Sequence, residues 1–283
     1  MMLINSFPAD WKDALHASLR DSDGFIYALV EGVHNEALYQ KLKKMDGPRY
    51  LPLYETAPSA DDETLGLGPI LVQYGDEYRK QWDSLLEMTN GLPGLSIIVS
   101  PEQMHELAAR LIPWCVVDAD DYTLALSFAD TRILPALVEA LDVQQRGEFL
   151  GRATRWTYPG RDAAWLTLTL QPELALPPGK KVSLTAQQVA ALMAASEADG
   201  VAYQMSQYIG NPLANYTPFD AQLMIAQWLK VADRLQMESN RDRFALCEFG
   251  LERPELLKDK RYLALLESGG GPRTLDETRA FLA

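Results

Sequence analysis

The patterning of the chain changes at one place, and that change limits what it can fold into. Up to about residue 170, short apolar runs rich in β-forming residues alternate with stretches of helical periodicity. Beyond Pro172, Pro177, Pro178 and Gly179 the strand signals stop and only helical ones repeat. The sequence therefore predicts an α/β lobe, an α+β mixed sheet with covering helices, over residues 1–171. A Pro/Gly-rich link follows over 172–181, and an all-helical lobe over 182–283. No internal repeat of fixed period is present.

Within the first lobe, Phe25 to Val30 reads as a buried strand followed by a helix from about Asn35 to Met45. Strands are expected at Tyr50–Tyr54, Ile70–Tyr74 and Leu95–Val99, and the acidic stretch Pro58–Glu63 is expected to be a surface loop. Tyr78, Trp82, Leu85 and Leu86 predict a helix over 77–89 that ends at Asn90-Gly91. Ser100 followed by Pro101 reads as the cap of a helix carrying Met104, Leu107, Ala108 and Leu111. A hairpin over 114–126, a helix from about Thr131 to Gln145 and a second hairpin over 152–170 complete the lobe. The second lobe should hold a helix opened by Thr185 with Gln188 and one opened by Thr217-Pro218. A third runs from Arg241 to a stop at Gly250, and a fourth opens at Pro254 and closes at Ser268-Gly269-Gly270-Gly271. Thr274 with Glu277 caps a last turn.

Charge narrows the function. The chain has 26 Lys+Arg against 39 Asp+Glu, a net charge of -13. Residues 1–170 hold 14 Lys+Arg and 25 Asp+Glu, net -11, so the acidity belongs to the first lobe. Such a field repels phosphate backbones and anionic lipid, which argues against nucleic-acid and membrane partners. One segment runs the other way: between positions 146 and 162, Arg146, Arg152, Arg155 and Arg161 face only Glu148 and Asp162. The start of the chain lacks a basic stretch leading into an apolar one, and no apolar run reaches membrane-spanning length, so a cytoplasmic location is expected. Cys115 and Cys247, far apart and outside any CxxC, read as small buried hydrophobes.

Motifs for cofactor and metal chemistry are weak. Gly66-Leu67-Gly68-Pro69 opens like a dinucleotide fingerprint but precedes a strand and lacks the third glycine. His16, His34 and His105 have no metal-ligand spacing and read as solvated surface side chains. Asp118, Asp120 and Asp121 lack the glycine and closing Glu of a calcium loop. No catalytic residue, metal ligand or cofactor is assigned, although pairs drawn from 39 acidic residues leave a carboxylate- and metal-dependent hydrolase or nuclease open.

Tyr27-Ala28-Leu29-Val30-Glu31-Gly32, then Leu53-Tyr54-Glu55-Thr56, then Leu67-Gly68-Pro69-Ile70-Leu71-Val72, then Ser100 with Leu107 and Arg110-Leu111, form an ordered set of motifs. Phe128, Asp130, Arg132 and Leu134 follow, and then Gln145, Phe149, Gly151 and Trp156. Over about residues 25–160 this set resembles a bacterial family, the domain of unknown function catalogued under number 4123. Its members act as adaptors, or chaperones, for effectors of the type VI secretion system. Ser127, Ala129 and Thr131 depart from the Arg-aromatic-Tyr-Asp-Pro-Arg run of that family.

The resemblance implies a non-enzymatic cytoplasmic adaptor that binds a specific secreted toxin and helps load it onto the secretion spike. The implied partners are the effector's N-terminal or spike-proximal segment, or the spike and spike-tip proteins. An immunity protein that neutralises a toxin is a further alternative. Independently of the family, Asp130 is placed to cap a helix and Arg132 to pair with it or with another carboxylate, and the two read either as a structural cap and clamp or as direct partner-binding contacts. Arg152, Arg155, Trp156, Tyr158 and Trp165 read either as hairpin packing or as an aromatic and arginine-rich partner surface. Strand alternation sets Arg152, Thr154, Trp156 and Tyr158 on one side, and Ala153, Arg155 and Thr157 on the other.

Overall fold

The computed structural model describes residues 3–56, 60–208, 211–259 and 280. In chain order the elements are α1 (Trp11–Leu19), β1 (Phe25–Glu31), α2 (Ala37–Lys44), β2 (Tyr50–Pro52), α3 (Asp62–Leu67), β3 (Pro69–Gln73) and α4 (Arg79–Glu87). They continue with β4 (Leu95–Ser100), α5 (Met104–Leu111), β5 (Val116–Ala119), β6 (Tyr122–Ala125), α6 (Leu134–Ala140), α7 (Val143–Leu150), β7 (Arg155–Pro159) and β8 (Trp165–Thr167). Last come β9 (Ser183–Leu184), α8 (Ala186–Ser206), α9 (Pro218–Arg234) and α10 (Asn240–Glu252). The chain forms two compact units, Met1–Ala194 and Ala195–Ala283.

The first unit is built on a six-stranded sheet in the order β2-β3-β1-β4-β7-β8, antiparallel throughout. The apolar run of β1 puts it at the centre, where both faces are covered. Tyr27 and Leu29 point into one core, Ala28 and Val30 into the other. On the second face Trp11 and Leu15 of α1, Leu38 and Leu42 of α2, and Trp82 and Leu85 of α4 close the layer. On the first face lie Leu107 and Leu111 of α5, Leu134 and Leu137 of α6, Phe149 of α7 and the hairpin β5–β6. The mixed pairing anticipated for the lobe appears in the smaller sheet, β6-β5-β9, where β9 runs parallel to β5.

The division between the units falls inside α8, later than the Pro-rich stretch. Val182 and Leu184 are buried in the first unit's core, and Leu176 N–H donates to the Gly147 carbonyl at 3.0 Å. Residues 172–184 are thus a strap on the first unit, which their composition alone reads as a link. Val189 and Leu192 of α8 are buried in that core as well, while Met193 is exposed.

Several expected elements shift. The acidic stretch expected as a loop begins α3: Asp61 accepts from Thr64 N–H at 2.8 Å, and Asp62 and Glu63 sit in the first turn, where negative charge is favoured. Ser100 remains in β4, and the cap of α5 is Gln103, in a reciprocal capping box with Glu106. The expected helix over 131–145 is two helices, because Asp142 caps α7 through a box with Gln145 and ends α6 just before it. His16 is buried, 2.8 Å from Asp83 and 3.1 Å from the Tyr74 hydroxyl, where a solvated side chain was expected.

In the second unit, Ala198, Val201 and Met205 of α8 meet Ile225, Trp228 and Leu229 of α9 and Leu246, Cys247 and Leu251 of α10. Thr217 and Ser239 cap α9 and α10. Gly250 does not stop α10, which runs on to Glu252. A Cβ there would lie 2.1 Å from Trp228 Nε1, so the glycine permits close helix packing. Pro254 opens a short 3₁₀ turn, Pro254–Lys258, and the expected features at Ser268–Gly271, Thr274 and Glu277 lie outside the described residues.

Candidate functional site

The Phe128–Leu134 motif meets the end of β1. Asp130 is buried, and its carboxylate accepts from Arg132 at four distances: backbone N–H at 2.9 Å, Nε at 3.0 and 3.2 Å, and Nη2 at 2.6 Å. His34 Nε2 lies 3.1 Å from Asp130 Oδ2. The pairing of Arg132 with Asp130 is as expected, but the helix cap is not. Helix α6 starts at Leu134 without a side-chain cap, because Asp130 is committed to Arg132 and His34. Burial alone would raise the pKa of Asp130. The hydrogen bonds from His34 and Arg132 and the guanidinium charge overcome it and hold the group at about 2.

Glu31, the last residue of β1, faces the same cluster and is 3% exposed. Its Oε2 has no hydrogen-bond partner among the described residues. Burial, reinforced by the Asp130 charge, pushes its pKa up to about 8. Glu31 also adds to the rise of the neighbouring Tyr54 hydroxyl and Cys115 thiol, which burial dominates. The adjacent Gly32 is required sterically, since a Cβ there would sit 2.0 Å from the Gly66 carbonyl oxygen. Within the Gly66-Leu67-Gly68 run the constrained position is Gly68, where a Cβ would lie 2.4 Å from the Tyr54 ring. With Glu31 and Asp130 almost fully enclosed, the cluster pins the end of β1 to the turn before α6. Among the described residues no group of three His, Cys, Asp or Glu side chains is placed to hold a metal ion.

Residues 26–148 match the family model described as Domain of unknown function (DUF4123). The chain carries a DUF4123 domain. No curated protein and no solved structure matches the chain. The matched span runs from β1 to the last turn of α7. It includes Glu31, His34, Asp130 and Arg132, and stops short of β7 and β8.

Where the DUF4123 domain meets those last strands lies an open groove of about 360 Å³. Pro135 and Val138 of α6, Val143, Arg146 and Leu150 of α7, Tyr158 of β7, residues 167–169 and Leu174 of the strap line it. Val143 is 60% exposed although apolar. The strap reaches α7 because Gly147 leaves room: a Cβ would meet the Leu174 carbonyl oxygen at 2.5 Å.

Of the hairpin residues, Trp156 is fully buried, with Nε1 donating to Ser96 Oγ at 3.0 Å, and Tyr158 is buried beside it, its hydroxyl pKa raised by burial. Trp165, half-buried, points to the opposite face, 6.1 Å from Phe7 and 6.5 Å from Trp11 between ring centres. These three aromatics therefore do not share a surface: Trp156 and Tyr158 pack into one core and Trp165 against the other. Arg155 is half-buried, with Nη2 donating to Ser22 Oγ, whereas Arg152 is exposed. The expected alternation fails before β7, since Ala153 joins the core face that holds Trp156.

Arg110, which the sequence shows only as part of a motif and without a role, organises this end of the unit. Its guanidinium donates to Glu102 from Nε at 2.9 Å and Nη2 at 2.5 Å, and from Nη1 to the carbonyls of Glu148 at 2.8 Å and Leu176 at 2.7 Å. The available signal was a charged residue between Ala108 and Leu111 on an apolar helix face. Among the described residues no helix is long and apolar enough to cross a membrane.

Proposed function

We propose that this protein is a cytoplasmic, non-enzymatic adaptor that binds a type VI secretion effector, stabilises it and promotes its loading onto the secretion spike. The observation that carries the reading is the DUF4123 match over residues 26–148, in the family whose members act as effector adaptors. The groove between α6, α7 and β8 supports it, because it exposes apolar side chains on an otherwise acidic unit. The buried Glu31–Asp130 cluster serves in this reading as scaffold. Co-expression with a toxin encoded beside this chain tests the proposal. The adaptor should co-purify with the toxin and raise its soluble yield, and a toxin equally soluble and uncaptured in its absence overturns the reading.

A further inference from the structure

Strand β8 ends the six-stranded sheet. Its register with β7 pairs Tyr158 with Leu166 and Thr157 with Thr167, and Leu168 N–H donates to the Trp156 carbonyl at 2.9 Å. In an antiparallel ladder the bonding direction alternates along the strand. Leu166 and Leu168 therefore turn their backbone groups to β7, and Thr167 and Thr169 turn theirs away from it. No described residue pairs with the outward backbone groups of Thr167 or Thr169, and both residues line the groove. An unpaired edge beside an apolar trough is the geometry of strand addition, in which main-chain bonds supply affinity and side-chain pockets supply specificity.

We propose that an extended segment of the partner protein, with aliphatic residues alternating with acidic ones, docks here as an added strand on β8. This deepens the adaptor reading and rests on it. The aliphatic half follows from Val138, Val143 and Leu174 in the trough. The acidic half follows from charge. Residues 1–170 carry net -11, yet here Arg146, which lines the groove, and the exposed Arg152, which follows its Gly151, outnumber the one lining carboxylate, Glu139. A carboxylate-bearing segment meets two guanidinium groups against a single carboxylate at this rim, whereas a basic one meets only Glu139.

The test uses the full chain and fluorescein-labelled decapeptides of alternating Val and Glu, alternating Val and Lys, and the Val/Glu sequence N-methylated at every second residue. The Val/Glu peptide should bind, more weakly as salt is raised, and the other two should not. Thr167→Pro removes one outward N–H without touching the bonds to β7, and Arg146→Glu reverses the rim charge. Each should weaken the Val/Glu peptide by about tenfold or more, with the circular dichroism of the chain unchanged. Equal affinity of all three peptides, or folded variants that bind as the wild type does, overturns the docking mode. Capture of the neighbouring toxin at undiminished yield by both variants overturns the mode and leaves the adaptor reading standing. Peptide binding of the expected pattern without toxin capture upholds the mode and removes the adaptor reading.

Discussion

Glu31 and Asp130 are two buried carboxyl groups at the same end of β1 whose acidities are driven apart, Glu31 up to about 8 and Asp130 down to about 2. The separation has a physical cause. Arg132 and His34 serve Asp130, while Glu31 Oε2 has no partner among the described residues and feels its neighbour's charge. Near neutral pH the lower-energy arrangement is one carboxylate and one carboxylic acid.

The first prediction concerns Glu31. Its folded pKa lies above the ordinary value of 4.5, so its contribution to stability is intact below that value and is lost as the pH rises toward about 8. The loss should be on the order of a few kcal/mol. Glu31→Gln, which keeps the shape and cannot ionise, should flatten the fall in urea midpoint between about pH 5 and pH 9. It should also make the variant the more stable protein at the alkaline end. A Glu31→Gln midpoint that tracks the wild type across that range refutes the assignment.

Asp130 gives the opposite sign. Its folded pKa is depressed, so the stability it contributes is present above the ordinary value of 3.8 and is lost as the pH falls toward about 2. Asp130→Asn should lower stability at neutral pH by about 1–3 kcal/mol, the cost of removing the buried carboxylate charge that binds Arg132 and His34. The variant should lose less further stability than the wild type between pH 4 and 2. Urea titrations at a series of acidic pH values read both effects.

How far the sequence reveals these features depends on the range of the interactions involved. Strands β1, β3 and β4 are legible because a continuous apolar run reports burial on both faces, and α4 because its stripe of Trp82, Leu85 and Leu86 is local. Helix α3 is hidden because Asp61, Asp62 and Glu63 serve equally well as loop or as cap and first turn. The break at Asp142 was visible as an Asp-x-x-Gln box, but the apolar periodicity running through it favoured a single helix. His16 and Glu31 could not be placed, since their surroundings come from residues far along the chain: Asp83 and Tyr74 for one, Asp130 for the other. The groove is illegible for the same reason. Val143, Tyr158 and Leu174 become neighbours only when the strap folds over α7.

A third prediction follows from Gly151 and Arg110. Gly151 closes α7 with φ +53, and a Cβ there would lie 2.1 Å from Arg110 Nε. Gly151→Ala therefore combines backbone strain with displacement of a buried guanidinium that holds Glu102 and two carbonyls. The expected cost is roughly 3 kcal/mol or more. Arg110→Lys should cost a similar amount, because one ammonium cannot reproduce the forked contacts. Hydrogen exchange should show the loss as faster exchange in α5, α7 and the strap, and a variant with native protection there contradicts this account.

A fourth prediction concerns the second unit. Gly250 of α10 lies so close to the Trp228 indole that a Cβ would approach Nε1 to 2.1 Å and Cε2 to 2.2 Å. Ordinary helix propensity favours alanine over glycine by about 1 kcal/mol, so a surface glycine replaced in this way would stabilise the helix. Here the sign should reverse. Trp228 is fully buried among Ile225, Leu246 and Cys247, so overpacking should cost about 1–3 kcal/mol. The core of this unit is distinct from the two that flank the six-stranded sheet. Gly250→Ala should accordingly speed exchange in α9 and α10 while β1 and β4 keep their protection. Stabilisation by Gly250→Ala, or equal loss of protection in β1, would show that Gly250 is not the tight contact described.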